Sequence, residues 1–181
     1  MLTYSIINME ETNRIDGEMC PVCRTKNLSL VEAEQEVPYF GKVFIFSMAC
    51  SECKYFKSDV ECAEQKPASR YTLDVENEAD LNIRVVRSSE GTIKIPRIGA
   101  IEPGPAAEGF VTNVEGVIQK FKEQVEHIRD EEEDEAIKKK AKNMLKKINR
   151  VLFGQESVKL IIEDPTGNSA IVSEKAVKSK L

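Results

Sequence analysis

Cys20 and Cys23, in "EMCPVCRTKN", and Cys50 and Cys53, in "ACSEC", form two Cys-x-x-Cys pairs with residues 24 to 49 between them. A pair with this spacing can fold into a tight knuckle that turns both sulfurs toward one point. Two knuckles supply the four thiolates of a tetrahedral zinc site, with bonds of about 2.3 Å. Protein then fills every position, so no water or substrate can be activated there, and the expected role is one structural Zn(2+) ion. Ion binding to such a cage contributes on the order of 10 kcal/mol to folding, which suits a segment with few large apolar side chains. A thioredoxin-like redox pair is the weaker alternative, because no βαβ pattern surrounds either pair. Cys62, in "DVECAEQ", is left over; nothing beside it would lower its pKa, and it is expected to be a buried or idle thiol.

The elements that must position these cysteines are strands. Between the knuckles, "SLVEAEQEVPYFGKVFIFSMAC" gives two strand-like runs broken at Pro38 and Gly41, a hairpin pattern. Tyr39, Phe40, Phe44 and Phe46 are expected to pack under the knuckles, or, for Tyr39 and Phe40 on the turn, to meet a partner.

After Pro67 come "RYTLDVE", "DLNIRVVRS" and "GTIKIP", in which Leu73, Val75, Leu81, Ile83, Val85, Ile93 and Ile95 alternate at period two. They predict half-buried antiparallel strands. Arg84 and Arg87 are then either outward charges on the sheet or a cationic patch for an acidic partner. "IPRIGAIEPGPAAEG" has the prolines and glycines of a loop with tightly set backbone angles. Thr112 stands three residues before Glu115, the spacing of a capping box, ahead of a stripe at Val114, Val117, Ile118, Phe121, Val125 and Ile128. A second stripe, Ile137, Ala141, Met144, Leu145, Ile148 and Leu152, completes a helical hairpin over about 112–152. The intervening "DEEEDE" and the lysines after it complement the helix macrodipole, with Asp134–Lys138 and Glu135–Lys139 as expected i,i+4 pairs on a solvated face. "GQESVKLIIEDPTGNSAIVSE" predicts strand, turn and strand.

Composition narrows the function. The 181 residues are 41% hydrophobic and 31% charged, ordinary for a folded soluble chain. No apolar run approaches the ~18 residues of a membrane span. The first residues lack the pattern of a secretory signal, so a cytoplasmic location is expected, and the final "SKL" is taken as a chance match to a peroxisomal address. Residues 1–65 carry six basic against eleven acidic residues, the wrong sign for phosphate binding, and the remainder holds twenty of each, so nucleic acid is not the expected partner. No phosphate loop, nucleophile–base pair or open metal site can be named, and His127 is the only histidine, so an enzyme is not expected.

Taken together, "CPVC" with "CSEC", "EVPYFGKV", "SDVE", "DLNIRVVRSSEGTIKIP", "PGPAAEGFVTNVEG" and "LIIEDPTGNSAI" resemble the ZPR-type zinc-finger proteins over most of residues 18 to 172. The resemblance implies a mainly β fold with a helical hairpin: an N-terminal arm over 1–17, a four-cysteine zinc ribbon over 18–65, and a β-helix-like barrel domain over 66–181. This chain carries the module once, as archaeal members do. The implied function is non-enzymatic binding of translation elongation factor 1 alpha, a GTPase, with assistance to its folding. The contact surface expected for it combines Tyr39, Phe40 and Gly41 with Arg84, Arg87, Glu108, Gly109, Thr112 and Glu115. The competing expectation is a zinc-ribbon module of transcription or translation that binds RNA.

Overall fold

The computed structural model describes residues 10–105 and 107–181, with side chains from Asn13 onward. Four antiparallel strands come first, β1 (Glu10–Glu18), β2 (Leu28–Val37), β3 (Gly41–Cys50) and β4 (Phe56–Cys62), paired in chain order. The expected hairpin is β2 and β3, in unbroken register from Leu28 opposite Cys50 to Val37 opposite Gly41. Residues 10–17 of the expected N-terminal arm lie in β1 at the sheet edge, and residues 1–9 of that arm lie outside the described residues.

The remaining chain runs β5 (Ser69–Val75), a 3-10 turn (Glu78–Asn82), β6 (Arg84–Arg87), β7 (Thr92–Ile95), β8 (Gly99–Ile101) and β9 (Phe110–Asn113). The helices α1 (Val114–Glu131) and α2 (Glu135–Leu152) follow, and then β10 (Val158–Asp164), β11 (Ala170–Val172) and β12 (Val177–Lys180). One sheet has the order β12-β5-β10-β7-β8 and another β11-β6-β9; the two are not closed into one ring. Alternating apolar residues of β5, β7 and β10 (Leu73, Ile93, Leu160, Ile162) meet Val117, Phe121, Leu145 and Ile148 of the helices in one core. The helical stripes are buried from Val114 to Val125 and from Ala141 to Val151, whereas Ile128 and Ile137 remain exposed near the turn that joins the helices.

Several local expectations are corrected. Asp80 to Asn82 form the 3-10 turn, not the start of a strand, because the Asn77 side chain accepts from the Ala79 and Asp80 amides and caps it. Helix α1 begins one residue later than the capping-box spacing implies. Asn113 Oδ1 accepts from Gly116 N at 2.9 Å, while Thr112 sits on β9 opposite Val85. Asp134 is the N-cap of α2, accepting from Ala136 N, so Lys138 pairs with Glu135 instead. The glycine-rich loop includes strand β8, which pairs with β7. The turn at Asp164 to Asn168 does not close a hairpin: β10 pairs with β5 and β7, and β11 crosses to pair with β6.

Candidate metal centre

Each knuckle is built the same way. Cys20 N donates to Thr25 O at 2.8 Å and Arg24 N to Cys20 O at 2.9 Å; Cys50 N donates to Tyr55 O at 2.8 Å and Lys54 N to Cys50 O at 3.1 Å. The residue after each second cysteine turns left-handed, Arg24 at φ 59° and Lys54 at φ 62°, which swings the chain back over its own sulfurs. Leu28 and Cys50 face each other across β2 and β3, so the strand register brings the second knuckle beside the first.

All four sulfurs lie within 4.8 Å of one another; Cys20 and Cys53 are 3.7 Å apart, Cys23 and Cys50 3.6 Å. A tetrahedron with bonds of about 2.3 Å has edges of about 3.8 Å, so the cage fits a zinc ion. The thiols differ in how readily they ionise. Bonding from Thr25 is the main cause that lowers Cys23 to about 6. Cys53 accepts from the Tyr55 backbone, which favours its thiolate, but desolvation and the other three sulfurs override this and push it to about 12. One cage cannot hold four thiolate charges unaided, and the metal supplies the compensating charge. The four thiolates hold one structural Zn(2+) ion and leave no open coordination position.

Beneath the knuckles pack Leu28, Leu30, Met48 and Tyr55. The aromatic residues expected there lie elsewhere: Tyr39 and Phe40 are at the opposite end of the hairpin, and Phe44 and Phe46 pair with each other at 6.5 Å between rings. Cys62 stands apart from the cage, half-buried, its amide donating to Asn168 Oδ1 at 3.1 Å; burial raises its thiol pKa.

Residues 79–180 match the family model described as the ZPR1 jelly-roll domain. The chain belongs to the ZPR1 family. It is 42% identical to an uncharacterized ZPR1-like protein of Methanocaldococcus jannaschii, over 92% of this chain and 83% of the relative. It is equally similar, at 42%, to a ZPR1-like protein of Pyrococcus horikoshii, over 90% of this chain and 75% of that one. The zinc finger chaperone zpr1 of Schizosaccharomyces pombe is 30% identical over 75% of this chain, which spans 30% of its length. The ZPR1 fold here is therefore a four-cysteine zinc finger joined to a jelly roll that carries a helical hairpin.

The structure brings some of the expected contact residues together and separates others. Tyr39 projects fully into solvent at the hairpin tip, and Gly41 follows at φ 104°. Phe40 is half-buried, packed near Val86 and Val111 with Lys66 above its ring. Val86 and Val111 lie on β6 and β9, the strands that also carry Arg84, Arg87 and Thr112. Arg84 and Thr112 are half-buried, and Glu115 is exposed in the first turn of α1. Arg87, expected on the surface, is 1% exposed. Its Nε donates to Gly91 O at 2.9 Å and its Nη1 to Glu108 O at 2.5 Å, pinning the loops on either side. Gly109 is also buried: a Cβ there would lie 2.5 Å from Val60 N and 2.7 Å from Asp59 Cα, so only glycine lets the jelly roll approach β4.

Sequence reasoning missed the polar seam that this approach creates. Ser58 Oγ donates to Gly109 O at 2.8 Å, and the Asp59 carboxylate accepts from both the amide and the hydroxyl of Ser89. Behind it, Asp164 accepts from Ser88, Thr166 and Ser169. The only signal was indirect, since "SDVE", "RSSEG" and "DPTGNSAI" all belong to the stretches that carry the family resemblance. Burial would raise the Asp164 pKa, but the hydrogen bonds from Ser169, Thr166 and Ser88 outweigh it and hold the carboxyl below its ordinary value. A depressed folded-state pKa stabilises the fold above the unfolded value, about 3.9, and that stability is lost as pH falls through the folded value. Asp164→Asn is accordingly expected to flatten the acid limb of the stability–pH curve, measured by urea unfolding between pH 7 and pH 2. An unchanged limb would mean that Asp164 contributes nothing to it.

Proposed function

We propose that this chain is a non-enzymatic zinc-binding protein that binds translation elongation factor 1 alpha in the cytoplasm and assists its folding. Within it, residues 18–65 act as the finger and residues 66–181 as the jelly-roll support. The observation that carries this reading is Tyr39. A non-glycine residue at φ 64° is strained by roughly 1 kcal/mol, and glycine or asparagine would suit that turn position better. The ring is 103% exposed, so it contributes no packing to offset the strain. Backbone strain combined with a wholly exposed aromatic ring is the pattern of a contact residue kept for a partner. Further support is that the Schizosaccharomyces pombe relative is named a chaperone and that the closed cage has no position for catalysis. Arg84, Thr112 and Glu115 extend the proposed surface; Arg87, Glu108 and Gly109 support it from beneath.

The test is calorimetric titration of the zinc-loaded chain into elongation factor 1 alpha, prepared nucleotide-free, with GDP and with GTP. Binding that depends on nucleotide state is expected, together with a higher yield when the denatured factor is refolded in the chain's presence. Tyr39→Asn is expected to weaken binding at least about tenfold, ~1.4 kcal/mol, without lowering the melting temperature. Absence of binding in every nucleotide state would overturn the proposal.

A further inference from the structure

The two helices of the hairpin carry opposite charge. Helix α1 holds three basic against five acidic residues, and α2 holds seven basic against one acidic. With 3.6 residues per turn, Lys139, Lys142, Lys146 and Arg150 fall in one line along α2, about 16 Å long, on the side opposite the buried Ala141, Leu145 and Ile148. All four are exposed, and none has a carboxylate partner among the described residues, although Lys138 and Lys147 on the flanks are paired with Glu135 and Glu156. At the C-terminal end of the same line stands Phe153, 66% exposed, one turn beyond Arg150. A solvated face needs no aromatic ring there; Lys140, on the same flank as Lys147, is also exposed and without a carboxylate partner among the described residues.

Unpaired cations in a row with an accessible ring at the end match what an unpaired nucleic-acid strand requires: charges for successive phosphates and a flat face for an unstacked base. An acidic protein surface would use the cations but gain little from Phe153 in line with them. We propose that the outer face of α2 binds a single-stranded nucleic acid, with Lys139, Lys142, Lys146 and Arg150 on the backbone and Phe153 stacked on a base. The acidic turn before α2, Glu132 to Asp134, repels phosphate and marks where the strand ends. The finger's negative charge does not oppose this, because the binding face is on the hairpin and not on the cysteine cage.

Fluorescence anisotropy of the full zinc-loaded chain with labelled 12-nucleotide oligouridine and oligothymidine tests it, with polyglutamate and a duplex of equal length as competitors. Four phosphate contacts predict a slope of log affinity against log salt of about −2.8, a weakening of about 50-fold between 50 and 200 mM salt. Reversing Lys142, Lys146 and Arg150 to glutamate together is expected to abolish most of that slope and lower affinity more than tenfold. Phe153→Ala is expected to lower affinity at least about fivefold while leaving the slope in place. Wild-type binding by the triple reversal would overturn the proposal. So would equal competition by polyglutamate, which would assign the face to an acidic protein, or equal competition by duplex with Phe153→Ala unaffected.

Discussion

Removal of zinc, by a chelator or by Cys50→Ser, is expected to unfold the knuckle end of the first sheet while the jelly-roll core stays folded. The knuckle cluster is small, resting on Leu28, Leu30, Met48 and Tyr55. It has no second source of stability comparable with ion binding, which is worth on the order of 10 kcal/mol for a four-thiolate site. The jelly-roll core is a separate cluster, built from β5, β7, β10 and both helices, and none of the four cysteines belongs to it. Cys50 is buried and is held by its backbone bonds to Lys54 and Tyr55, so serine there removes a ligand without enlarging the site. The measurement is zinc content together with hydrogen exchange. Amides of residues 18 to 30 and 48 to 56 should lose protection, and those of α1, α2 and β10 should keep it. Loss of protection throughout would mean that the finger and jelly roll unfold as one cooperative unit; no loss anywhere would mean that the ion is not structural.

Arg87→Met is expected to destabilise the protein by about 3–5 kcal/mol, the effect of removing one partner from a buried charged network. Methionine retains much of the side-chain length but none of the donors. Gly91 O and Glu108 O would lose their partners inside the protein, and Asp59, Asp164 and Glu108 would lose a favourable charge. Lysine should rescue little, because one ammonium cannot reproduce a planar fork that bonds several carbonyls at once. Thermal melting of Arg87→Met, Arg87→Lys and Arg84→Met checks this. For a chain of this size, a drop on the order of 10 °C is expected for the first, and a small change for Arg84→Met, whose side chain is half-buried on β6. If Arg87→Met melted like the parent and lost partner binding instead, Arg87 would be a contact residue after all.

Most of what was legible in the sequence was local. The cysteine spacing specified both knuckles because each closes within six residues, and the hairpin between them followed from two apolar runs and a Pro–Gly break. The helical stripes were visible because amphipathic period depends only on which face meets a core. Where two local signals competed, the structure chose between them. Asn113 and Thr112 are both good caps, and the pairing of Thr112 with Val85 on β9 leaves Asn113 as the residue free to bend. Period-two reasoning gave β6 one buried face, yet Val85 faces the main core and Val86 the finger, so both sides are covered.

The sequence by itself therefore determined the zinc cage, the β2–β3 hairpin, both helices, strands β5, β6, β7 and β10, and the family, but not β1, β8 or the 3-10 turn. Only the tertiary structure decided that Arg87 is interior, that Gly109 marks a close approach to β4, and that β10 and β11 belong to different sheets. The first two rest on contacts between residues 87 and 108 and between 58 and 109, and the third on the pairing of β10 with β5 and β7 and of β11 with β6. Whether a polar side chain is buried depends on what folds over it, and here the covering segments are distant in the chain, beyond the reach of periodicity, spacing or capping rules.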